Sequence, residues 1–320
     1  MSQPIQYSIV VPVYNEEEVI HETYRRLKEV MISTGEAYEL LFVNDGSRDH
    51  TAEILKEYSQ KDETVILLDF SRNFGHQIAI TAGMDYSRGK AVVVIDADLQ
   101  DPPELILDMI EKWKQGYDVV YAKRTKRKGE TVFKKQTAKM FYRFLNSMTD
   151  IDIPLDTGDF RLLDRRVCDQ MNNLQEKNRF VRGLVSWVGF KQIAVEYERD
   201  ERLAGESKYP LKKMLKLSID GITSFSYKPL KLASFAGVAF SGIGFIYLLV
   251  VLYLKLFTNS TITGWSSLIV AQLFFSGFTL FILGMIGEYI GRIYDESKHR
   301  PLYIVSDVYQ KMPEKKRMYR

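Results

Sequence analysis

The sequence predicts an α/β protein, a mostly parallel sheet wrapped by helices, followed by a helical hairpin that crosses a membrane. Short β-rich runs alternate with helical patterns through the first 121 residues, which argues for parallel strands covered on both faces. The runs end in polar clusters, and open sheets of this kind bind ligands at the carboxyl ends of their strands. Residues 232–287 hold one charged residue, Lys255, although 27% of the 320-residue chain is charged. Two different solvents are implied. A wholly soluble chain, a disordered one and a disulfide scaffold are excluded, since Cys168 is the only cysteine. A net charge of +3 is too small to call for a nucleic-acid partner.

Strands are expected at 7–12, 39–43, 65–70, 91–95 and 118–121, with helices near 16–32, 50–60, 76–88 and 103–115. Residues 7–12 (YSIVVP) read as a strand and not as a signal peptide, so the first 225 or so residues are expected in the cytosol. The first strand ends in Pro12-Val13-Tyr14-Asn15-Glu16. The second ends in Asn44-Asp45-Gly46-Ser47, where Asp45-Gly46 suits a tight turn. Neither GxGxxG after the first strand nor GxxxxGK[ST] is present, which argues against a dinucleotide site and a triphosphatase loop.

The fourth strand is the most informative. Its continuous apolar run (AVVVI) is that of a central parallel strand, and it stops at Asp96-Ala97-Asp98-Leu99-Gln100-Asp101. Side chains alternate along an extended chain, so Asp96 and Asp98 are expected to point the same way and to offer hard oxygen ligands to Mg²⁺ or Mn²⁺. Such an ion stabilises charge appearing on a diphosphate leaving group. Asp101, before Pro102 and Pro103, reads as a helix start. The four histidines show no metal-ligand spacing, and GxSxG and HExxH are absent.

The apolar region divides into 233–254 and 265–287, each long enough to cross about 30 Å of hydrocarbon. Lys212, Lys213, Lys216, Lys228 and Lys231 precede the first span, and Arg292, Lys298 and Arg300 follow the second. The positive-inside rule then puts both termini in the cytoplasm. Gly287 and Gly291 have a spacing that allows close helix approach and self-association in the membrane. Before the spans, Leu211, Met214, Leu215, Ile219, Ile222 and Phe225 share a helical face with lysines elsewhere, the pattern of an interfacial amphipathic helix or of a core helix. Residues 132–148 carry a similar pattern.

Val11-Pro-Val-Tyr-Asn-Glu16, Asn44-Asp-Gly-Ser47, Arg72-Asn-Phe-Gly-His76 and Asp96-Ala-Asp-Leu-Gln-Asp-Pro-Pro-Glu104, with the two spans, resemble the inverting family 2 glycosyltransferases. The resemblance is to the polyprenyl-phosphate branch related to dolichyl-phosphate mannose synthase and bacterial undecaprenyl-phosphate glucosyltransferases, and it covers about residues 5 to 300. It implies a GT-A (Rossmann-like) domain at 1–209, a juxtamembrane helix at 210–231, two membrane helices within 232–287 and a cytoplasmic tail at 288–320. It also implies that Pro12, Tyr14, Glu16 and Asp45 hold the nucleoside, that Asp96, Asp98 and Gln100 form the metal and diphosphate site, and that Arg124 lies near the donor phosphates. Asn44 stands where many relatives have a first aspartate. The Gln-x-x-Arg-Trp motif of processive members is absent, which favours transfer of a single sugar.

Asp156-Thr-Gly-Asp-Phe-Arg161 resembles the acceptor-side loop, with Asp159 as the carboxylate near the reaction centre, Asp156 as its rival and Arg161 as an added cation. Arg202-Leu-Ala-Gly-Glu-Ser-Lys208 resembles a segment that orders over bound substrates, Arg202 and Lys208 meeting phosphate oxygens. The expected activity is inverting transfer of glucose or N-acetylglucosamine from a UDP-sugar to polyprenyl phosphate at the cytoplasmic face of the plasma membrane, with a lipid-sugar flippase downstream. The alternative is a non-catalytic nucleotide-sugar sensor or scaffold.

Overall fold

The computed structural model describes residues 4–125, 154, 157–174, 176–198, 226, 228–257 and 264–311. The helices expected at 132–148 and 211–225, Asp156, Arg202 and Lys208 lie outside them.

Eight strands are described: β1 (Tyr7–Val13), β2 (Tyr38–Asn44), β3 (Val65–Phe70), β4 (Ala91–Val94), β5 (Val119–Arg124), β6 (Thr157–Asp164), β7 (Gln192–Tyr197) and β8 (Val305–Gln310). They form one sheet in the order β7-β5-β6-β4-β1-β2-β3-β8. Its centre, from β4 through β1 and β2 to β3, is parallel. Helices α1 (Ile20–Ser33), α2 (Thr51–Lys61), α3 (His76–Tyr86), α4 (Leu105–Lys114), α5 (Arg165–Asn173) and α6 (Val181–Trp187) accompany it. Every residue of β1 is buried, as a strand covered on both faces requires. Ile9 and Val11 join Leu27, Met31 and Ile106 in one core cluster, while Val10 joins Ile80, Val92 and Val167 in the other. The period of two in an extended chain sends neighbours to opposite faces.

Strand β6 decides where the site lies. It runs antiparallel to β4, with Val94 opposite Arg161, and antiparallel to β5, with Lys123 opposite Thr157. The carboxyl ends of β1, β2, β4 and β5 therefore share one edge with the amino end of β6.

Two long helices, α7 (Lys228–Phe257) and α8 (Trp265–Ser297), hold the apolar region. The stretches Lys228–Tyr247 and Phe274–Ser297 are long and apolar enough to cross a membrane. Edge-on contacts of Phe240 with Phe274, Phe275 and Phe278 join the pair into a hairpin. A soluble core hairpin would cover its apolar side chains, yet Phe235 and Val238 are each 73% exposed. Beyond α8 the expected cytoplasmic tail includes a strand: β8 pairs antiparallel with β3, Leu67 opposite Tyr309, and covers what would otherwise be an open sheet edge.

Candidate active site

A cavity of about 600 Å³ opens at the shared edge, lined by Pro12 near the end of β1, Tyr14 and Glu16 after it, Asp45 after β2, Asp96 and Asp98 after β4, Arg124 at the end of β5, and Gly158 and Asp159 in β6. It thus gathers most of the residues singled out in the sequence. His76 and Arg182 also line it, and neither is picked out as a site residue by sequence spacing.

On one wall, loop hydrogen bonds lock the ends of β1 and β2 together. The Asn15 N–H donates to Ser47 Oγ at 3.0 Å, the Glu16 N–H to Thr51 Oγ1 at 2.9 Å and the Arg48 N–H to Asn15 Oδ1 at 2.8 Å. Gly46 has φ +67°, and a Cβ there would sit 2.7 Å from backbone atoms of Arg72 and Asn73, so the turn requires glycine. Asp45 is buried and accepts from the backbone N–H of Phe74 (2.6 Å) and Gly75 (3.0 Å). Burial raises its pKa, against the opposing effect of those donors. Its carboxylate therefore anchors the 71–75 loop as well as facing the cavity. Asn44, at the departure from the family pattern, donates its amide to Asp69 at 2.7 Å.

The segment after β4 is not an extended continuation of the strand. It turns at 97–98, and Leu99 takes φ +54°, so the alternation expected of an extended chain does not operate. Both carboxylates nevertheless reach the cavity. Gln100 is not among the residues lining it; its backbone N–H donates to Asp98 Oδ1 at 3.2 Å. Asp101 is not a helix cap. Helix α4 starts from Glu104 with no side-chain cap, and Asp101, 1% exposed, accepts a short hydrogen bond from the Tyr197 hydroxyl. Arg124 Nε donates to the same hydroxyl at 3.1 Å, with Nη2 3.6 Å from Asp101. Burial works against the Arg124 charge, but Asp101 and Tyr197 outweigh it and raise its pKa.

On the other wall, Asp159 accepts from Arg182 Nε and Gln77 Nε2, both at 3.0 Å. His76 Nε2 lies 3.4 Å from both Asp159 and Asp96. Burial alone would raise the Asp159 carboxyl, but Arg182 and His76 hold it well below the usual carboxylate range. For His76, burial is outweighed by Asp96 and Asp159, which raise it to about 9, so the ring is cationic at neutral pH. Arg161 does not line the cavity. It is buried, and donates to the Gly158 and Asp159 carbonyls of its own strand, which corrects its reading as an added site cation.

The donor set fits a divalent metal. Asp96 Oδ1 is buried and takes no hydrogen bond, with His76 Nε2 3.4 Å away, so the Asp96 carboxylate keeps acceptor capacity beside Asp98. The described lining carries five carboxylates against His76, Arg124 and Arg182, so an incoming diphosphate would meet net repulsion that a bound cation relieves. Among the described residues no cluster of three or more metal-ligating side chains occurs. Two carboxylates completed by substrate phosphates and water suit Mg²⁺ or Mn²⁺.

A sheet with carboxylates gathered at its strand ends defines an α/β enzyme-type cleft, and comparison with known proteins identifies the kind. Residues 8–171 match the family described as glycosyl transferase family 2. An uncharacterized glycosyltransferase of Bacillus subtilis (strain 168) is 77% identical over 100% of this chain and 98% of its own. The bactoprenol glucosyl transferase of Shigella phage SfV is 43% identical, over 96% of this chain and 100% of its own. The crystal structure of mannosyl-3-phosphoglycerate synthase from Rubrobacter xylanophilus is similar at 16% identity and a TM-score of 0.46, over 68% of this chain and 71% of that one. The chain belongs to glycosyl transferase family 2.

Arg182 and Gln77 carry no sequence signal of their own, whereas His76 closes the Arg72-Asn-Phe-Gly-His76 run.

Proposed function

We propose that this protein transfers one sugar, glucose or N-acetylglucosamine, from a UDP-sugar to a polyprenyl phosphate of the undecaprenyl class, inverting the anomeric centre. The observation that carries the reading is the joining of Asp45, the Asp96–Asp98 pair and Asp159 in one cleft. The name of the phage relative, bactoprenol glucosyl transferase, supports the lipid acceptor, as do the two exposed apolar helices.

Pro12, Tyr14, Glu16 and Asp45 receive the nucleoside, and Arg124 meets the donor phosphates. Asp96 and Asp98 would hold a divalent ion, whose charge would stabilise the departing diphosphate. The acceptor phosphate needs no base: the second pKa of a phosphate monoester is about 6, so its oxygen attacks the anomeric carbon directly. That bond forms as the bond to the UDP oxygen breaks, and a UDP-α-sugar gives a β-linked lipid phosphosugar. Asp159, already ionised and held by Arg182, Gln77 and His76, is a poor proton acceptor, which supports a positioning role. Arg202 and Lys208 are read as further phosphate contacts.

Attachments of the C-terminal end of the hairpin to the catalytic domain support one location for that domain and for β8. The Lys177 N–H donates to Glu296 Oε1 of α8 at 2.7 Å, and β8 joins the sheet after α8, while the Tyr289 hydroxyl, donating to the Ser226 carbonyl at 2.8 Å, holds the residue ahead of α7 beside α8. The basic flanks make that side the cytoplasm. The lipid-linked product then requires a flippase to cross.

Detergent-purified protein incubated with undecaprenyl phosphate, Mn²⁺ and radiolabelled UDP-sugars, with Asp98→Asn as control, tests the reading by label in the organic phase. Label from one donor, lost in the variant, is expected. An α-linked product refutes inversion, and no label from any donor with nucleotide still bound points to the sensor.

A further inference from the structure

The segment that leads from the apolar hairpin into β8 does more than deliver a strand to the sheet edge. Tyr303, six residues beyond the end of α8, stacks on Phe70 with ring centroids 5.4 Å apart and planes at 15°. Its hydroxyl donates to Asp85 Oδ2 of α3 at 2.7 Å. Next to it, the Ser71 N–H donates to the Ile304 carbonyl at 3.0 Å. Phe70 in turn meets Phe74 edge-on at 5.5 Å. Phe74 and Gly75 are the two residues whose N–H groups hold the Asp45 carboxylate, and Asn73 donates its amide to the Asp45 carbonyl at 3.0 Å. His76, beside Asp96 and Asp159, opens the helix that follows. The 71–75 loop is thus pressed between the nucleoside-side carboxylate and a segment contributed by the far end of the chain.

We propose that Tyr303 is a positioning residue for the nucleotide-sugar donor: through Phe70 and Phe74 it fixes the loop that orients Asp45 and leads into His76. The donor half of this inference rests on the function proposed above. The arrangement also ties the cleft to the membrane. Tyr303 is the sixth residue after Ser297, the last residue of α8, and an extended chain of that length spans at most about 20 Å. The loop that shapes the donor site is therefore leashed to the helix that would enter the bilayer. Removing the C-terminal segment would loosen a cleft whose lining, among the described residues, runs from Pro12 to Arg182.

The test compares full-length wild type with Tyr303→Ala and Tyr303→Phe in detergent, by two readouts. Amide hydrogen exchange at Phe74 and Gly75 reports the loop without any ligand, and calorimetric titration with UDP and Mn²⁺ reports the donor site. Loss of one aromatic contact corresponds to a roughly two- to tenfold effect. Tyr303→Ala is expected to speed exchange at those two amides and to weaken UDP binding by that factor, raising the donor KM while leaving the acceptor KM unchanged. Tyr303→Phe, which keeps the stack and loses only the bond to Asp85, is expected to restore most of both. Unchanged exchange at Phe74 and Gly75 in Tyr303→Ala overturns the inference. So does exchange that rises equally in α1 and α2, because Tyr303 would then be holding the whole domain. If wild type binds no UDP while the two amides respond as expected, the loop assignment stands and the uridine-donor reading fails.

Discussion

Adding a single methyl group at Gly158 probes the proposed role of Arg124 toward the donor phosphates without replacing a charged residue. A Cβ there would lie 2.8 Å from Arg124 Nη2, against 3.4 Å or more for an ordinary contact, and its other near neighbours, Arg124 Cζ and Asp101 Oδ2, are both at 3.7 Å. Gly158 has no positive φ, so alanine introduces no backbone strain, and the crowded atom is the far end of a flexible side chain. The guanidinium moves and the fold stays. The displacement is taken from a hydrogen bond to Tyr197 already at 3.1 Å and an ion pair with Asp101 at 3.6 Å. Losing one hydrogen bond to a charged group costs about 1.5–3 kcal/mol. If the fixed guanidinium is what receives the donor phosphates, loss of one such phosphate bond in Gly158→Ala weakens UDP-sugar binding by about ten- to 150-fold, and the loosened Tyr197 and Asp101 contacts lower the melting temperature by no more than Arg124→Ala does. Titration calorimetry on Gly158→Ala, Arg124→Ala and the double variant measures this. The double variant should bind no worse than Arg124→Ala alone, because the methyl acts only through the guanidinium. Undiminished affinity in Gly158→Ala, or a further loss in the Arg124→Ala background, would refute the reasoning.

Chelation by EDTA should abolish sugar transfer and added Mn²⁺ should restore it, read as label in the organic phase; transfer that persists in excess chelator removes the metal from the scheme. Arg182→Gln leaves the buried Asp159 carboxylate short of its main counter-charge and should cost about 3–5 kcal/mol. Asp159→Asn in the same chain should recover part of that in guanidinium unfolding, whereas simply additive losses would show that the two do not act as a pair. Asp62 is half-buried, which would raise its pKa, but Lys28 at 2.5 Å, the Thr64 N–H and the Tyr24 hydroxyl lower it to about 2. A depressed folded pKa stabilises above the unfolded value of about 3.9 and is lost as pH falls through about 2. Wild type should therefore lose roughly 1–2 kcal/mol across that window after allowing for partial exposure of Lys28. Thermal melts of Asp62→Asn should lack this component, and a parallel acid dependence in both proteins would count against it.

The local part of this architecture was legible because it is written in periods. The unbroken apolar runs of β1 and β4, the helical spacing between them and the near-absence of charge from 232 to 287 are each produced by neighbouring residues meeting one solvent. Carboxylates after buried strands were legible for the same reason, since a chain leaving the core at a strand end can place ionised groups only where water or a ligand meets them. Asp101 was misread because a short-range cap pattern matches its neighbours, while the group that binds it, Tyr197, lies 96 residues away.

Composition and periodicity by themselves determined the parallel sheet, the apolar hairpin and the acidic strand ends. Tertiary structure alone decided that β6 would enter antiparallel beside β4, which carries Asp159 to the edge where Asp96 and Asp98 emerge and sets His76 between them. It alone decided that Arg182 and Gln77 would hold that carboxylate, and that Tyr303 and Ile304, just ahead of β8, would return from beyond the hairpin to pack beside the 71–75 loop. Such contacts join residues tens to hundreds of positions apart, and their energies depend on strand order and register, which no local pattern of side chains encodes.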